Sequence, residues 1–203
     1  MKKIGLFFGS FNPIHVGHLM IANYVVNHTD LKEVWMVVSP QNPLKEKRTL
    51  LSDHHRLAIV KVALEGQSKI KASDIEFSLS KPSYTVNTLA HLTEKYPKII
   101  FSLIMGEDNL RTLHKWKNFE FILENFDVYV YPRLMTDTEK LERIEQKENT
   151  HLKNISRITK LDVPIMQISA SYIRDSIKNK KDVRYWLTES VYNYIREMHF
   201  YEK

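Results

Sequence analysis

The sequence contains no cysteine, which removes disulfides, thiol nucleophiles and cysteine-bound metals from consideration. No apolar run approaches the roughly 20 residues that a membrane-spanning helix needs. Glycine is scarce, at five residues, and Gly5 and Gly9 do not form the G-x-G-x-x-G fingerprint of redox dinucleotide enzymes. There is no H-E-x-x-H pattern, and His54 and His55 are adjacent, so on a helix they point in different directions. A dedicated metal site is therefore not expected. The net charge is +6, but no dense basic run with interleaved aromatics accompanies it. A nucleic-acid-binding module is disfavoured on that ground, and a small polyanionic substrate stays open. After two lysines the chain enters an apolar run with no leader pattern before it, so a cytoplasmic protein with no membrane partner is expected.

What is present is alternation. Apolar strand-like runs at Ile4–Phe8, Glu33–Val38, Ile70–Glu76, Ile99–Met105, Asp127–Tyr131 and Val163–Ile168 alternate with helical patterns. The helices fall at Leu19–Val26, His54–Glu65 behind a Ser52–Asp53 cap, Asn87–Tyr96, Asn118–Glu124, from Ser171, and Glu189–Met198. Thr136–Lys153 mixes charge signs at helical spacing and reads as a solvated helix. The alternation predicts an α/β fold, an open parallel sheet with helices on both faces. With 203 residues it fits one domain over 1–203, with a helical C-terminal part from about 169. The aromatic last helix is either internal core or a contact in a homo-oligomer.

In such a sheet the loops after the strands share one edge, where ligands bind. Gly9–His18 is such a loop: a glycine, Pro13 and two histidines three apart, at a strand-to-helix junction. A helix N-terminus offers unpaired N–H groups and attracts phosphate. Gly9 permits close backbone approach. If the helix starts near His15, then His15 and His18 share a face and can donate to phosphate oxygens. On the residues alone, a pair of surface histidines or a metal pair remains possible.

Gly9–His18 resembles the G-x-F-x-P-x-H-x-G-H signature of the nucleotidylyltransferase superfamily. Ile168–Arg174 resembles its I-S-x-[ST]-x-[IL]-R partner signature. Gly106–Leu110 with Trp116, Pro82–Leu89, and Val183–Tyr185 with Val191–Ile195 look like segments of the bacterial nicotinate-nucleotide adenylyltransferase family. The resemblance covers nearly the whole chain and is weakest at 136–154. It departs at Phe8, where a glycine is usual, at Leu44, where a histidine is usual, and at Asn87, where an aspartate is common.

The resemblance implies a Rossmann-like fold. It implies adenylyl transfer from ATP to nicotinate mononucleotide, giving nicotinate adenine dinucleotide and pyrophosphate, in NAD biosynthesis. Acceptors from sister families, nicotinamide mononucleotide or phosphopantetheine, are the alternatives. By resemblance, His15, His18 and Arg174 are catalytic. Gly9, Ser10, Phe11, Gly17, Gly106, Asp108, Arg133, Ser169, Ser171 and Ile173 bind ATP, with Asp108 on the ribose and Arg133 beside the adenine. Lys45, Tyr84, Thr85 and Trp116 bind the acceptor, Lys45 at its phosphate and Trp116 against the nicotinate ring. ATP chemistry implies Mg²⁺, held mainly by the phosphates.

Overall fold

The computed structural model describes residues 1–40, 50–134 and 155–202. Lys45 and the expected charged helix at 136–153 lie outside them. The strands are β1 (Lys2–Gly9), β2 (Glu33–Val38), β3 (Ile70–Ser73), β4 (Ile99–Gly106), β5 (Asp127–Tyr131) and β6 (Ile158–Lys160). The helices are α1 (Val16–His28), α2 (Asp53–Ala63), α3 (Thr85–Lys95), α4 (Glu107–Thr112), α5 (Phe119–Asn125), α6 (Ala170–Lys178) and α7 (Glu189–Glu197).

All strand pairings are parallel, in the order β3-β2-β1-β4-β5-β6. The order reverses between β1 and β4, so the loops after these two strands diverge and leave a crevice at their C-terminal ends. The central strands read as continuous apolar runs because both their faces are covered. Phe7, Met36, Val38 and Ile104 enter a core with residues of α1, α2, α6 and α7. On the other face, Ile4, Leu6, Phe101, Leu103 and Met105 pack with residues of α3 and α5. Alternation along each strand feeds the two cores, and each fully buried aliphatic side chain contributes about 1.5–3 kcal/mol. Val191, Ile195 and Phe200 belong to the first of these cores, so the last helix is internal packing at those positions.

One expected strand is misplaced. Val163–Ile168 is irregular, and the sixth strand is Ile158–Lys160. The ladder to β5 closes when Leu161 N donates to Val130 O at 2.8 Å. Pro164 then has no N–H to extend it. The freed segment crosses the C-terminal edge instead, where Val163, Pro164, Met166 and Ile168 line the crevice. The third strand is also shorter than expected, because the chain turns into a 3₁₀ helix at Ile75–Ser78.

Candidate active site

The crevice holds a cleft of about 400 Å³. Of the residues singled out from sequence, Gly9, Ser10, Phe11, His15, Gly17, His18, Asp108, Arg133, Ser169, Ser171 and Arg174 line it. The loops after β1, β4 and β5 and the irregular segment leading into α6 deliver them, from positions up to 165 residues apart in the chain.

The two histidines are set by how α1 begins. His15 is its N-cap residue, with extended backbone (φ −142°, ψ 170°). His18, one turn on, accepts a hydrogen bond at Nδ1 from the His15 backbone N–H (3.3 Å). With Nδ1 as acceptor, neutral His18 carries its proton on Nε2 and can donate from there. The two rings stack with centroids 3.7 Å apart. The Phe11 ring meets His18 edge-on at 5.2 Å. Phe11 holds a left-handed φ of 44°, a strained backbone for a bulky residue. That turn drops its ring over Gly9, where an added Cβ would lie 2.7 Å from it. Gly9 therefore makes room for Phe11. Gly17 does the same for His15, whose Nδ1 would lie 3.1 Å from a Cβ there. His15 is buried, and loss of hydration together with the Arg133 charge lowers its pKa to about 4. It is a neutral imidazole at physiological pH.

Across the cleft, Ser169 caps α6 by accepting from Tyr172 N (3.1 Å). One turn in, Arg174 donates to Ser171 Oγ (3.1 Å) and reaches over to the Asn12 carbonyl (2.8 Å). The two signatures are thus joined by a direct bond. At the end of β4, Asp108 Oδ2 accepts from Arg133 Nη1 at 3.0 Å, while Oδ1 is buried without a partner. Gly106 has no side chain where Asp108 folds back, and a Cβ there would sit 2.3 Å from Oδ1.

Several residues named from sequence lie elsewhere. Gly106 is behind the lining. Ile173 is fully buried in the core beneath it. Tyr84, Thr85 and Trp116 are half-buried and do not line the cleft. Thr85 opens α3, and Trp116 follows the turn Leu113–Lys115. Tyr84 and Trp116 pack on one core, with the Lys117 ammonium over the Tyr84 ring at 4.8 Å. Trp116 Nε1 is buried without a partner.

Three residues missed from sequence shape the loop. Arg56 is fully buried and donates to the carbonyls of Ser10 (2.6 Å), Ser39 (2.9 Å), Pro40 (3.3 Å) and Leu51 (3.1 Å), and to Asp53 Oδ1 (2.7 Å). Asn12 Oδ1 accepts from Leu51 N (3.2 Å) and from the Tyr201 hydroxyl (2.9 Å). The only sequence signal for Arg56 is its spacing from the acidic Asp53 at the start of a helix. Asn12 sits inside the motif without a fixed role in its pattern, and Tyr201 lies beyond the last helix.

Two stacked imidazoles, an arginine fork, two hydroxyls and a capped helix start, in one cleft, can bind a polyphosphate and offset charge developing on it. Among the described residues no cluster of His, Asp or Glu could hold a metal by itself. No described helix is long and apolar enough to cross a membrane. Fold and cleft define a nucleotidyl-transfer protein of the doubly wound α/β type, and residues 6–176 match the model of the cytidylyltransferase-like family.

A protein of Flavobacterium johnsoniae named "Probable nicotinate-nucleotide adenylyltransferase" is 55% identical over 99% of this chain and 100% of its own length. One of the same name from Bacteroides fragilis is 40% identical over 95% and 90%. In fold, the chain matches Plasmodium falciparum nicotinic acid mononucleotide adenylyltransferase complexed with NaAD. The TM-score is 0.79 at 21% identity, over 100% of this chain and 98% of that one. The chain belongs to the nicotinate-nucleotide adenylyltransferase family.

Proposed function

We propose that this chain transfers the adenylyl group of ATP to nicotinate mononucleotide. An oxygen of the acceptor's 5′-phosphate attacks the α-phosphorus, the bond from that phosphorus to the bridging oxygen breaks, and pyrophosphate leaves with the electron pair. The products are nicotinate adenine dinucleotide and pyrophosphate. A phosphate dianion is nucleophilic at neutral pH, so the chain needs to align it and stabilise charge rather than deprotonate it. The lining supplies donors from Arg174, Arg133 and the serines, which suits that division.

His18, with its proton on Nε2, donates to the oxygens around the α-phosphorus, and His15 stacks beside it. Arg174, with Ser169 and Ser171 at the start of α6, holds the β- and γ-phosphates and the leaving pyrophosphate. A guanidinium fork suits that better than an ammonium. Gly9, Ser10, Phe11 and Gly17 shape the phosphate loop. Asp108, with one oxygen on Arg133 and the other open, accepts from the ribose hydroxyls, and Arg133 borders the adenine. Tyr84 and Thr85 at the start of α3 take the nicotinate carboxylate, and Trp116 stacks on the ring. Lys45 meets the acceptor phosphate.

Mg²⁺ would be held by the ATP phosphates and water and would offset part of the phosphate charge. Among the described residues the lining offers one carboxylate, Asp108, beside Arg133, Arg174 and several hydroxyls, which fits an ion that phosphates and water would hold.

The observation that carries this reading is the bond from Arg174 to the Asn12 carbonyl, which joins the two signatures beside the stacked histidines. The test is pyrophosphate release from ATP with a panel of acceptors. Nicotinate mononucleotide should give the fastest release. Faster release with phosphopantetheine or nicotinamide mononucleotide would overturn the acceptor, and no release with any of them would overturn the activity.

A further inference from the structure

Glu76 is a carboxyl buried to 1% exposure that none of the roles above uses. It sits in the 3₁₀ turn after β3, and its Oε1 accepts from the Thr88 hydroxyl at 2.7 Å. The hydroxyls of Ser39 and Ser83 also face the carboxyl. Glu76 Oε2 and Ser83 Oγ are both buried with no hydrogen bond to described residues. Burial raises the carboxyl pKa, and no cation is among the groups acting on it.

A buried carboxyl without a counter-charge is costly, so an apolar side chain would be the cheaper way to fill this space. The three hydroxyls around it explain why it is polar, because they come from two segments, Ser39 from one and Ser83 and Thr88 from the other. Ser39 follows β2, and its N–H donates to the Gly9 carbonyl at 2.9 Å while its own carbonyl accepts from Arg56. Ser83 precedes Tyr84 and Thr85. Thr88 is one turn into α3. The carboxyl therefore stands between the anchor of the phosphate loop and the segment that begins α3.

We propose that Glu76 is a positioning residue that holds Ser83–Tyr84–Thr85 in register with the phosphate loop and so sets affinity for the acceptor. It touches neither substrate. It acts through the Ser83 and Thr88 hydroxyls on one side and Ser39 on the other. An amide oxygen can keep the bond from the Thr88 hydroxyl, and the amide N–H groups can donate toward the facing serine oxygens. This inference rests on the reading of Tyr84 and Thr85 as the acceptor's contacts.

The test is initial-rate kinetics on the full chain with ATP and nicotinate mononucleotide, for Glu76→Ala and Glu76→Gln. Glu76→Ala should raise KM for the acceptor about tenfold, with KM for ATP within about twofold, as loss of local positioning requires. Glu76→Gln should restore the acceptor KM to within about threefold of the wild type. Equal rises in both KM values, or a glutamine variant as impaired as the alanine one, would overturn the proposal. If Glu76→Ala does not fold, Ser83→Ala and Thr88→Val carry the test. Each should raise the acceptor KM selectively, and an unchanged acceptor KM in both would overturn the proposal. An inactive wild-type chain would instead sink the adenylyl-transfer reading and this inference with it.

Discussion

On the phosphate side of the cleft, the loop after β1 is bonded into place by the protein itself. Arg56 holds the Ser10 and Ser39 carbonyls, Tyr201 and Leu51 hold the Asn12 side chain, and Arg174 holds the Asn12 carbonyl. On the proposed acceptor side, Tyr84 and Trp116 rest on apolar packing and one lysine–ring contact, with Trp116 Nε1 buried and without a partner among the described residues. Unpaired atoms occur on the phosphate side too, at His15 Nδ1 and Asp108 Oδ1, but on groups assigned to ATP. The difference separates two ways of making a site. Where charge develops during reaction, donors must be fixed in advance, since reorganising them would cost what they stabilise. Where a flat ring and a carboxylate are recognised, area and a few open polar atoms suffice.

Substitutions should therefore divide by side. The largest effect is expected for His18→Ala, which removes a donor at the reacting phosphate. Its kcat should fall about 10²–10³-fold, roughly 3–4 kcal/mol, with the fold retained. Near-normal kcat would remove His18 from the chemistry. Arg56→Ala should act on the scaffold. It strands four carbonyls in the interior and leaves Asp53 without its guanidinium partner, so thermal or urea unfolding should show a loss of about 3 kcal/mol or more. A loss below about 1 kcal/mol would mean that the loop holds its shape without the arginine.

Acid should weaken the phosphate side through His15. The unfolded chain binds a proton there near pH 6.5, while the folded one does so only near pH 4. Between those values the unfolded state holds more protons, so stability falls as pH falls. The loss at pH 5 relative to pH 7 should be about 2 kcal/mol in the ligand-free protein. His15→Asn should remove that part of the slope, and an unchanged slope would show that His15 is not protonated on unfolding.

The same division explains what could be read from sequence. The central strands were legible because buried parallel strands are continuous apolar runs; the loop after β1 stood out as glycine, proline and paired histidines at a junction, but it was the resemblance to a known signature that separated a phosphate site from surface histidines or a metal pair. Arg174 was legible through the resemblance, whereas the helix was expected to open at Ser171 and the cap at Ser169 was not read. Val163–Ile168 was not, because an apolar segment that lines a cleft has the composition of a strand, and only the missing N–H of Pro164 speaks against it. Arg56 was hidden because a helical arginine ordinarily lies at the surface. What buries it is a set of backbone carbonyls, which no side-chain pattern records. Glu76 was hidden because the groups that face it are hydroxyls, which leave no charge pattern in the sequence.

The contrast between the two sides is tested most directly by calorimetric binding of a non-hydrolysable ATP analogue and of nicotinate mononucleotide to the wild type, His18→Ala and Trp116→Ala. Trp116→Ala should weaken nicotinate mononucleotide about tenfold, the size of a lost aromatic stack with its burial, and leave the analogue within about twofold. His18→Ala should bind both ligands within about threefold of the wild type, because its contribution belongs to the transition state. Equal weakening of both ligands by Trp116→Ala, or loss of ground-state binding in His18→Ala as large as its loss of kcat, would contradict the division.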